Sequence, residues 1–281
     1  MIRAPKAACP TQFSPWIFIS HPATETSGHG VLWTTLLGKI AVVMFTPPTL
    51  KAFKLAIDAL PDEVSQDDIL NEAFLMGREG QLAVYYAPFE GINLSARIVL
   101  LGLTPGWTQT KLAFEGYRRG LRDGLTEDDA LMAAKGQASF AGMRTRLCRW
   151  LDELGVAEWL EISGTASLFD ARADLLHTTS AIRYPVFTGS EGLNYSGHNP
   201  APRNSPLLTS IIESVLLPEL SLLPTALVVP MGRSVSEALS GVDPARCLFG
   251  FPHPSGANGH GTRQYAEQRE AMRTVVERLA T

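Results

Sequence analysis

Short apolar runs alternate with longer segments of helical periodicity through the last two thirds of the chain. The runs are bounded by turn residues, as is typical of buried strands in a parallel sheet, and lie at residues 98–101, 175–176, 226–229 and 247–251. Apolar stripes at helical spacing predict helices over residues 140–154, 207–217 and 264–279. This alternation predicts an α/β domain, a three-layer α/β/α sandwich in which helices cover both faces of a central parallel sheet.

The residues before this region follow a different pattern. Residues 1–43 show no clear period and many turn residues, and we expect a flexible leader or a misassigned start there. Residues 44–94 predict a helical N-terminal extension, with one helix near Leu50, a second after Asp67, and a strand at residues 82–86. The main domain is then expected over residues 95–281.

The composition suits a globular protein. Of 281 residues, 45% are apolar, and the net charge of −4 neither requires nor excludes a nucleic-acid partner. The three cysteines contain no CxxC pair, which argues against a zinc or iron–sulfur site and fits a reducing cytoplasm. No apolar run is long enough to span a bilayer. We therefore expect a cytoplasmic protein with no membrane span and no cysteine-held metal.

Four loops at predicted strand ends carry most of the polar residues of interest. They span residues 102–109, 177–185, 230–233 and 253–261. Because the carboxyl ends of parallel strands meet at one edge of a sheet, these loops predict a cleft. Glycines in the first loop would let backbone N–H groups approach a ligand closely.

The loop sequences resemble the signature loops of the uracil-DNA glycosylase superfamily. GLTPG at residues 102–106 is similar to the first motif of that family, and HPSGANG at residues 253–259 is similar to the second. TSAIRYP at residues 179–185 resembles the strand that reads the base, and ALVVPMGRSVSEAL at residues 226–239 resembles the strand and helix before the second motif. The resemblance covers about residues 95–281.

This resemblance implies a uracil-DNA glycosylase-like fold and a repair function. The expected activity is that of a monofunctional DNA glycosylase, which hydrolyses the N-glycosidic bond of a deaminated or damaged base, uracil or a related base, flipped into a pocket. The implied partner is DNA with a modified base, and no metal or cofactor is implied. Because cleavage leaves negative charge on the base, the site must stabilise that anion in a dry pocket.

The resemblance also assigns roles to individual residues. His253 would donate a hydrogen bond to the base O2, and the backbone around Gly102 and Leu103 would bind the same oxygens. Thr104 stands where many members place the Asp or Asn that activates water. The expected base contacts are Ser180, Gly106, Trp107 and Phe114. The expected DNA contacts are Ser255, Gly256, Ala257, Asn258 and Arg233.

Several of these positions depart from the family pattern. Thr104 is a poor base at neutral pH, and Leu103 stands where the iron–sulfur members place Glu. Ser180 replaces the base-reading Asn, and Gly106 replaces the tyrosine that excludes the thymine methyl group. We therefore expect a pocket that is open to 5-substituted or larger bases.

Other residues could supply the missing functions. Glu115, on the helix after the first motif, and His177, at a strand end, are candidate bases, with surface solvation and core burial as the respective alternatives. Tyr117 could stack on a flipped base together with Trp107 and Phe114, and core packing is an equal alternative for each ring.

Two further functions stay open from the sequence. A catalytically weak or inactive family member would bind a nucleotide or DNA as a sensor, which the acidic balance and Thr104 favour. A nucleoside hydrolase would act without a DNA footprint. The steep salt dependence of DNA binding separates the glycosylase from this last alternative.

Overall fold

The structure, a computed structural model, describes residues 31–34 and 42–280, with side chains from residue 45 onward. At its start, β1 (Val31–Thr34) and β2 (Val42–Phe45) pair in an antiparallel ladder. The leader or misassigned start expected at residues 1–43 lies largely outside the described residues and stays a prediction.

Three parallel strands form the central sheet. β5 (Ile98–Gly102) lies between β6 (Leu176–Ser180) and β9 (Leu227–Pro230). All five residues of β5 are buried. An apolar run that is covered on both faces is what a central parallel strand requires, and the strands predicted near residues 98–101 and 226–229 are confirmed.

Helices cover both faces of this sheet. Ile98 and Leu100 contribute to a core that is shared with α5 (Arg144–Glu153), α6 (Val156–Leu160) and α10 (Gly261–Leu279). Val99 and Leu101 contribute to the opposite core, which includes α1 (Leu50–Asp58), α3 (Trp107–Arg122) and α4 (Glu127–Ala138). Successive residues of a strand point to opposite faces, so β5 itself divides the two cores. The molecule is a mixed α/β sandwich, as predicted.

The helix predicted over residues 207–217 is longer than expected. It continues from α7 (Pro206–Ile211) through a π-helical stretch (Ile212–Leu216) into α8 (Leu217–Ser221). The Ser205 hydroxyl accepts the backbone N–H of Leu208 and caps the first turn. The remaining short helices are α9 (Arg233–Glu237) and 3-10 turns at Thr165–Phe169, Ala173–Leu175, Pro202–Asn204 and Pro244–Arg246.

Residues 44–94, predicted as a helical extension with one strand, contain more strand than expected. Beside α1 and α2 (Gln66–Ile69), this segment contains an antiparallel hairpin. The hairpin is part of a four-stranded sheet in the order β3 (Leu75–Glu79), β4 (Leu82–Tyr85), β7 (Val186–Thr188) and β8 (Leu193–Asn194). The strand expected at residues 82–86 is confirmed.

Helix α2 is only one turn long because Asn71 ends it. The Asn71 side-chain amide donates to the carbonyls of Asp67 and Asp68, while its oxygen accepts the N–H of Ala73. An Asn that bonds its neighbouring backbone in this way offers the chain an alternative to further helix. The helix predicted after Asp67 therefore ends early, and Leu75 begins β3.

The N-terminal residues pack into the same core as the central sheet. Phe53 of α1 is 1% exposed, and its ring stacks on Tyr86 with 4.0 Å between centroids. Phe74 packs edge-on against Phe114 of α3. Residues from Phe45 onward thus share a core with the main domain.

Two elements near the cleft differ from their predictions. The run at residues 247–251 forms only an isolated bridge, from Cys247 to Val228, because Gly250 turns the chain at a φ of +88°. The helix expected from residue 140 begins at Arg144, since Phe140 and Gly142 adopt φ angles of +53° and +78°. Positive φ is incompatible with a right-handed helix.

The shared core predicts that the N-terminal segment and the sheet unfold together. Phe53→Ala should destabilise the protein by about 3–5 kcal/mol, the usual cost of emptying a buried aromatic site. Urea denaturation followed by tryptophan fluorescence and by circular dichroism should give one coincident transition. Leu55→Ala on the 87% exposed face of α1 is the matched control, with an expected change within about 0.5 kcal/mol. Two separate transitions in the Phe53 variant would contradict the shared core.

Candidate functional site

A cleft of about 760 Å³ opens at the carboxyl ends of the three parallel strands. All four predicted loops contribute to it, which confirms the convergence expected from the sequence. The segment around β8 also lines the cleft, although the sequence analysis did not predict it as part of the site. The lining includes Gly102, Leu103, Thr104, Pro105, Gln109, Lys135, Ser139, Phe140, Thr179, Ser180, Arg183, Asn194, His198, Arg233, His253, Ser255, Ala257 and Asn258.

The loop after β5 is held against the loop after β6 by backbone hydrogen bonds. The carbonyl of Gly102 accepts the N–H of Ala181 at 2.8 Å, and the carbonyl of Leu103 accepts the N–H of Ile182 at 2.8 Å. A Cβ atom added to Gly102 would lie 3.5 Å from the Ser180 hydroxyl and 3.7 Å from the Phe140 ring. Gly102 and Ser180, both predicted site residues, are therefore neighbours in the cleft.

The hydroxyl of Thr104 is hydrogen-bonded to two backbone groups. Its Oγ1 donates to the carbonyl of Tyr184 at 2.9 Å and accepts the N–H of Val186 at 3.1 Å. These two bonds fix the first loop to the start of β7 and the residues just before it. One lone pair of Oγ1 is left over, and Thr104 lines the cleft, so its role in activating water stays a prediction.

The space beside Gly106 is not open. A Cβ atom at Gly106 would lie 3.1 Å from Oε1 of Gln109 and 3.4 Å from Oδ1 of Asn194. Those oxygens accept the N–H groups of Gly106 and Trp107, respectively. The two amides thus cap the start of α3 and fill the volume that the sequence analysis left for a base substituent.

The aromatic residues predicted to stack on a base face other parts of the molecule. Phe114 and Tyr117 are fully buried in the core of α3, and Trp107 is half-buried against that core rather than in the cleft. Phe140 lines the cleft instead. The apolar pattern predicted that Phe140 begins a helix. Phe140 instead has a φ of +53°, and its ring lies beside Gly102.

His253 lies in the cleft with a defined tautomer. The N–H of Ser255 donates to its Nδ1 at 3.3 Å, so in the neutral ring Nε2 carries the hydrogen. Burial lowers the pKa of His253 below the ordinary imidazole value, which favours this neutral form. His253 can therefore act as a neutral hydrogen-bond donor.

The loop that follows His253 is pinned on both sides. The Asn258 amide donates to the His253 carbonyl at 3.2 Å, and Arg146 donates to the Ser255 carbonyl at 3.0 Å. Ser255, Ala257 and Asn258 line the cleft, whereas Gly256 is exposed outside its lining. Arg233 stands at the rim with a side chain that is 90% exposed.

Neither candidate base predicted from the sequence is placed for that role. Glu115 pairs with Lys111 on α3 at 3.6 Å and does not line the cleft. His177 is 1% exposed, and its Nδ1 accepts the N–H of Asn93. Its Nε2 donates to Oε1 of Glu219 at 2.7 Å. His177 is thus a buried structural residue.

Glu219 is the centre of a buried charged cluster beneath the cleft. Its Oε2 accepts from Arg183 Nη2 at 2.7 Å and from the Thr179 hydroxyl at 3.2 Å. Its Oε1 accepts from His177 and lies 3.6 Å from Nζ of Lys135. The cluster thereby joins α8, α4 and the end of β6.

The charges in this cluster shift one another's pKa values. Burial alone would raise the pKa of Glu219, but Lys135, His177 and Arg183 hold it well below its usual range. Burial lowers the pKa of Lys135 to about 8, against the opposing effect of Glu219. Burial and the charge of Lys135 lower the pKa of His177 to about 4, so its ring is neutral at neutral pH.

The sequence contained a weak signal for this cluster. Lys135 stands on a face of α4 whose other members, Ala130, Leu131, Ala134 and Ala138, are all buried. Glu219 follows the apolar residues of the α7–α8 helix. A charge on an apolar face indicates a buried partner, but the partner's identity requires the tertiary structure.

The chain is similar to a known protein over most of its length. A protein of Bacillus subtilis (strain 168) described as "Uncharacterized protein YoxB" is 36% identical over 240 residues, which cover 82% of this chain and 93% of YoxB. The chain belongs to the YoxB family. No protein-family model matches the chain, and no solved structure matches it.

Two features are absent from the part of the chain that the structure describes. No helix in it is long and apolar enough to cross a membrane. No group of three or more His, Cys, Asp or Glu side chains in it is placed to hold a metal ion.

The buried cluster predicts a large cost for removing its carboxylate. Glu219→Gln should destabilise the protein by about 3–5 kcal/mol, because two buried cations lose their counter-charge. Urea denaturation at pH 7 measures the change, and Glu270→Gln, in an exposed pair with Arg269, is the control with an expected change within about 0.5 kcal/mol.

The difference in the free energy of unfolding between wild type and Glu219→Gln should depend on pH in a known direction. The folded pKa of Glu219 is depressed, so its contribution is complete above the unfolded glutamate value near 4.3 and is lost as the pH falls toward the folded pKa. The gap between wild type and Glu219→Gln should therefore narrow below about pH 4. A gap that is constant from pH 7 to pH 3 would contradict an ionised Glu219.

Proposed function

We propose that this α/β domain has a uracil-DNA glycosylase-type fold and excises a deaminated or damaged base from DNA. The observation that carries the proposal is His253, a neutral imidazole donor fixed by Ser255 in the same cleft as Gly102 and Ser180. Excision of a flipped base needs such a donor where negative charge develops on the base.

The cleft offers suitable groups for a flipped base. The Phe140 ring lies beside Gly102, where it can stack on the base. The Ser180 hydroxyl can donate or accept at the edge of the base. The amide nitrogens of Gln109 and Asn194 are donors, because the oxygens of both side chains accept backbone N–H groups. These groups favour a base that carries carbonyl oxygens.

The chemistry follows from a dissociative cleavage. The bond between the sugar C1′ and the base nitrogen breaks, its electron pair leaves with the base, and the sugar becomes an oxocarbenium ion. Water then adds to C1′ and releases a proton. The Nε2–H of His253 donates a hydrogen bond to the departing base as negative charge develops on it. Burial in the cleft strengthens this hydrogen bond.

The rim of the cleft provides for DNA contact. Arg233 is exposed there and pairs with Glu237, which also binds Arg203. Phosphate oxygens are the natural partners of exposed guanidinium groups. The loop from Ser255 to Asn258 lies at the same opening and is placed to approach the gap left by a flipped base.

A sensor that binds a base without cleaving it is the second candidate. Among the described residues, no Asp or Glu lines the cleft, and the Thr104 hydroxyl is bound to backbone on both sides. The cleft therefore has no carboxylate to activate water. Binding without turnover in the assay below would select this second function.

Removal of His253 tests the proposed chemistry. His253→Ala should lower base release by about 2–3 orders of magnitude, because an anion-stabilising donor is lost. Release is measured on duplex and single-stranded oligonucleotides carrying uracil, hypoxanthine, xanthine or 5-substituted uracil, by alkaline cleavage at the abasic site. His260→Ala, an exposed histidine outside the cleft lining, is the matched control and should retain wild-type rates. Equal rates in the His253 variant would remove this residue from the mechanism.

The neutral tautomer of His253 predicts the acid side of the pH profile. Protonation of Nδ1 would break its bond from Ser255, so activity should fall once the ring becomes charged. Burial lowers the pKa of His253, and the acid limb of kcat/KM should therefore lie below the ordinary histidine value of about 6.5. A midpoint at or above that value would show that His253 is not buried as described.

A further inference from the structure

Two cations lie at the floor of the cleft. The side chains of Lys135 and Arg183 both line it, yet they are only 5% and 11% exposed. Lys135 Nζ donates to the carbonyl of Gly91 at 2.7 Å, and Arg183 is held by Glu219. Both charges are thus fixed in position and largely withdrawn from water.

The two cations share one carboxylate as their ion-pair partner. Among the residues that the structure describes, Glu219 is the carboxylate that pairs with both Lys135 and Arg183. His177 is neutral beside it. Glu90, from the segment before β5, also acts on both cations, and burial raises the pKa of its carboxyl group. Lys135 and Arg183 line the cleft, whereas neither Glu219 nor Glu90 does.

We propose that Lys135 and Arg183 form an anion-binding floor that holds the negative charge of the departing nucleobase. This inference rests on the proposed glycosylase function and names the group that would assist His253. A buried positive charge needs a counter-charge, and at low dielectric it attracts an anion far more strongly than an exposed one does. Preorganised charges of this kind act where negative charge develops.

The depth of the two cations favours a base rather than a phosphate as the anion. A DNA backbone stays at the mouth of a cleft, where Arg233 is 90% exposed. Lys135 and Arg183 are only 5% and 11% exposed, and Arg183 shares Glu219 with Thr179. A base turned out of the helix can enter a cleft to that depth. An acidic nucleobase is therefore the ligand class that fits the floor.

Binding of free bases tests the floor without depending on catalysis. The anionic probe is 5-nitrouracil, which is deprotonated near neutral pH, and uracil is the neutral probe of similar shape. Calorimetry at pH 7.5 should show that Lys135→Met weakens 5-nitrouracil binding at least tenfold and uracil binding less than threefold. Lys135→Arg keeps the charge and should bind 5-nitrouracil within about threefold of wild type.

The pH dependence of 5-nitrouracil binding to the wild-type protein provides a second test. Because burial lowers the pKa of Lys135 to about 8, its charge is lost as the pH rises through that value. Affinity for 5-nitrouracil should therefore fall between pH 7 and pH 9 in wild type and stay constant in Lys135→Arg. Either of two results would overturn the proposal. One is an affinity of wild type for 5-nitrouracil that does not change between pH 7 and pH 9, and the other is a Lys135→Met variant that binds 5-nitrouracil as tightly as wild type does.

The remaining outcomes separate this inference from the glycosylase proposal. Displacement of 5-nitrouracil by equimolar inorganic phosphate would overturn the assignment to a base and indicate a phosphate site. Lys135-dependent binding of 5-nitrouracil without any base release would support the floor and refute excision. Base release without Lys135-dependent anion binding would support excision and overturn the floor.

Discussion

The buried carboxylate of Glu219 is the interaction on which the cleft depends. It binds Arg183, His177 and Thr179 from one side of the sheet and balances Lys135 from α4. An ion pair of this kind gains little over a well-packed apolar core, but losing one partner leaves charge stranded in a low dielectric. The cluster therefore specifies where α8, α4 and the end of β6 meet, and it brings two cations to the cleft.

The central sheet and its cleft were predictable because their signals are local. An apolar run that ends in glycine and proline identifies β5, and parallel strands bring their carboxyl ends together whatever lies between them. The placement of Gly102, Ser180 and His253 in one cleft followed from that rule. The N-terminal hairpin was harder to predict, because β4 pairs with β7 from far along the chain.

Side-chain roles were less predictable because a motif gives a position and not its contacts. Thr104 occupies the expected place in its loop, yet its hydroxyl donates to the carbonyl of Tyr184 and accepts the N–H of Val186, which the motif does not indicate. Gly106 lacks a side chain, yet Gln109 and Asn194 occupy the volume beside it. Phe140 enters the cleft only through a positive φ, a conformation that an apolar stripe cannot reveal.

In the proposed reaction, the cations beneath the cleft would act on the departing base, and the described lining, which includes no carboxylate, would not oppose them. A dissociative cleavage is limited by departure of the base, and charge on the leaving group can be stabilised without activating water. A carboxylate in the lining of the cleft would repel an anionic base, because like charges at close range oppose each other. Glu219 is held behind Arg183 and Lys135, where it fixes both cations but does not line the cleft. In the proposed chemistry, catalysis thus comes from stabilising the leaving base and not from activating the water nucleophile.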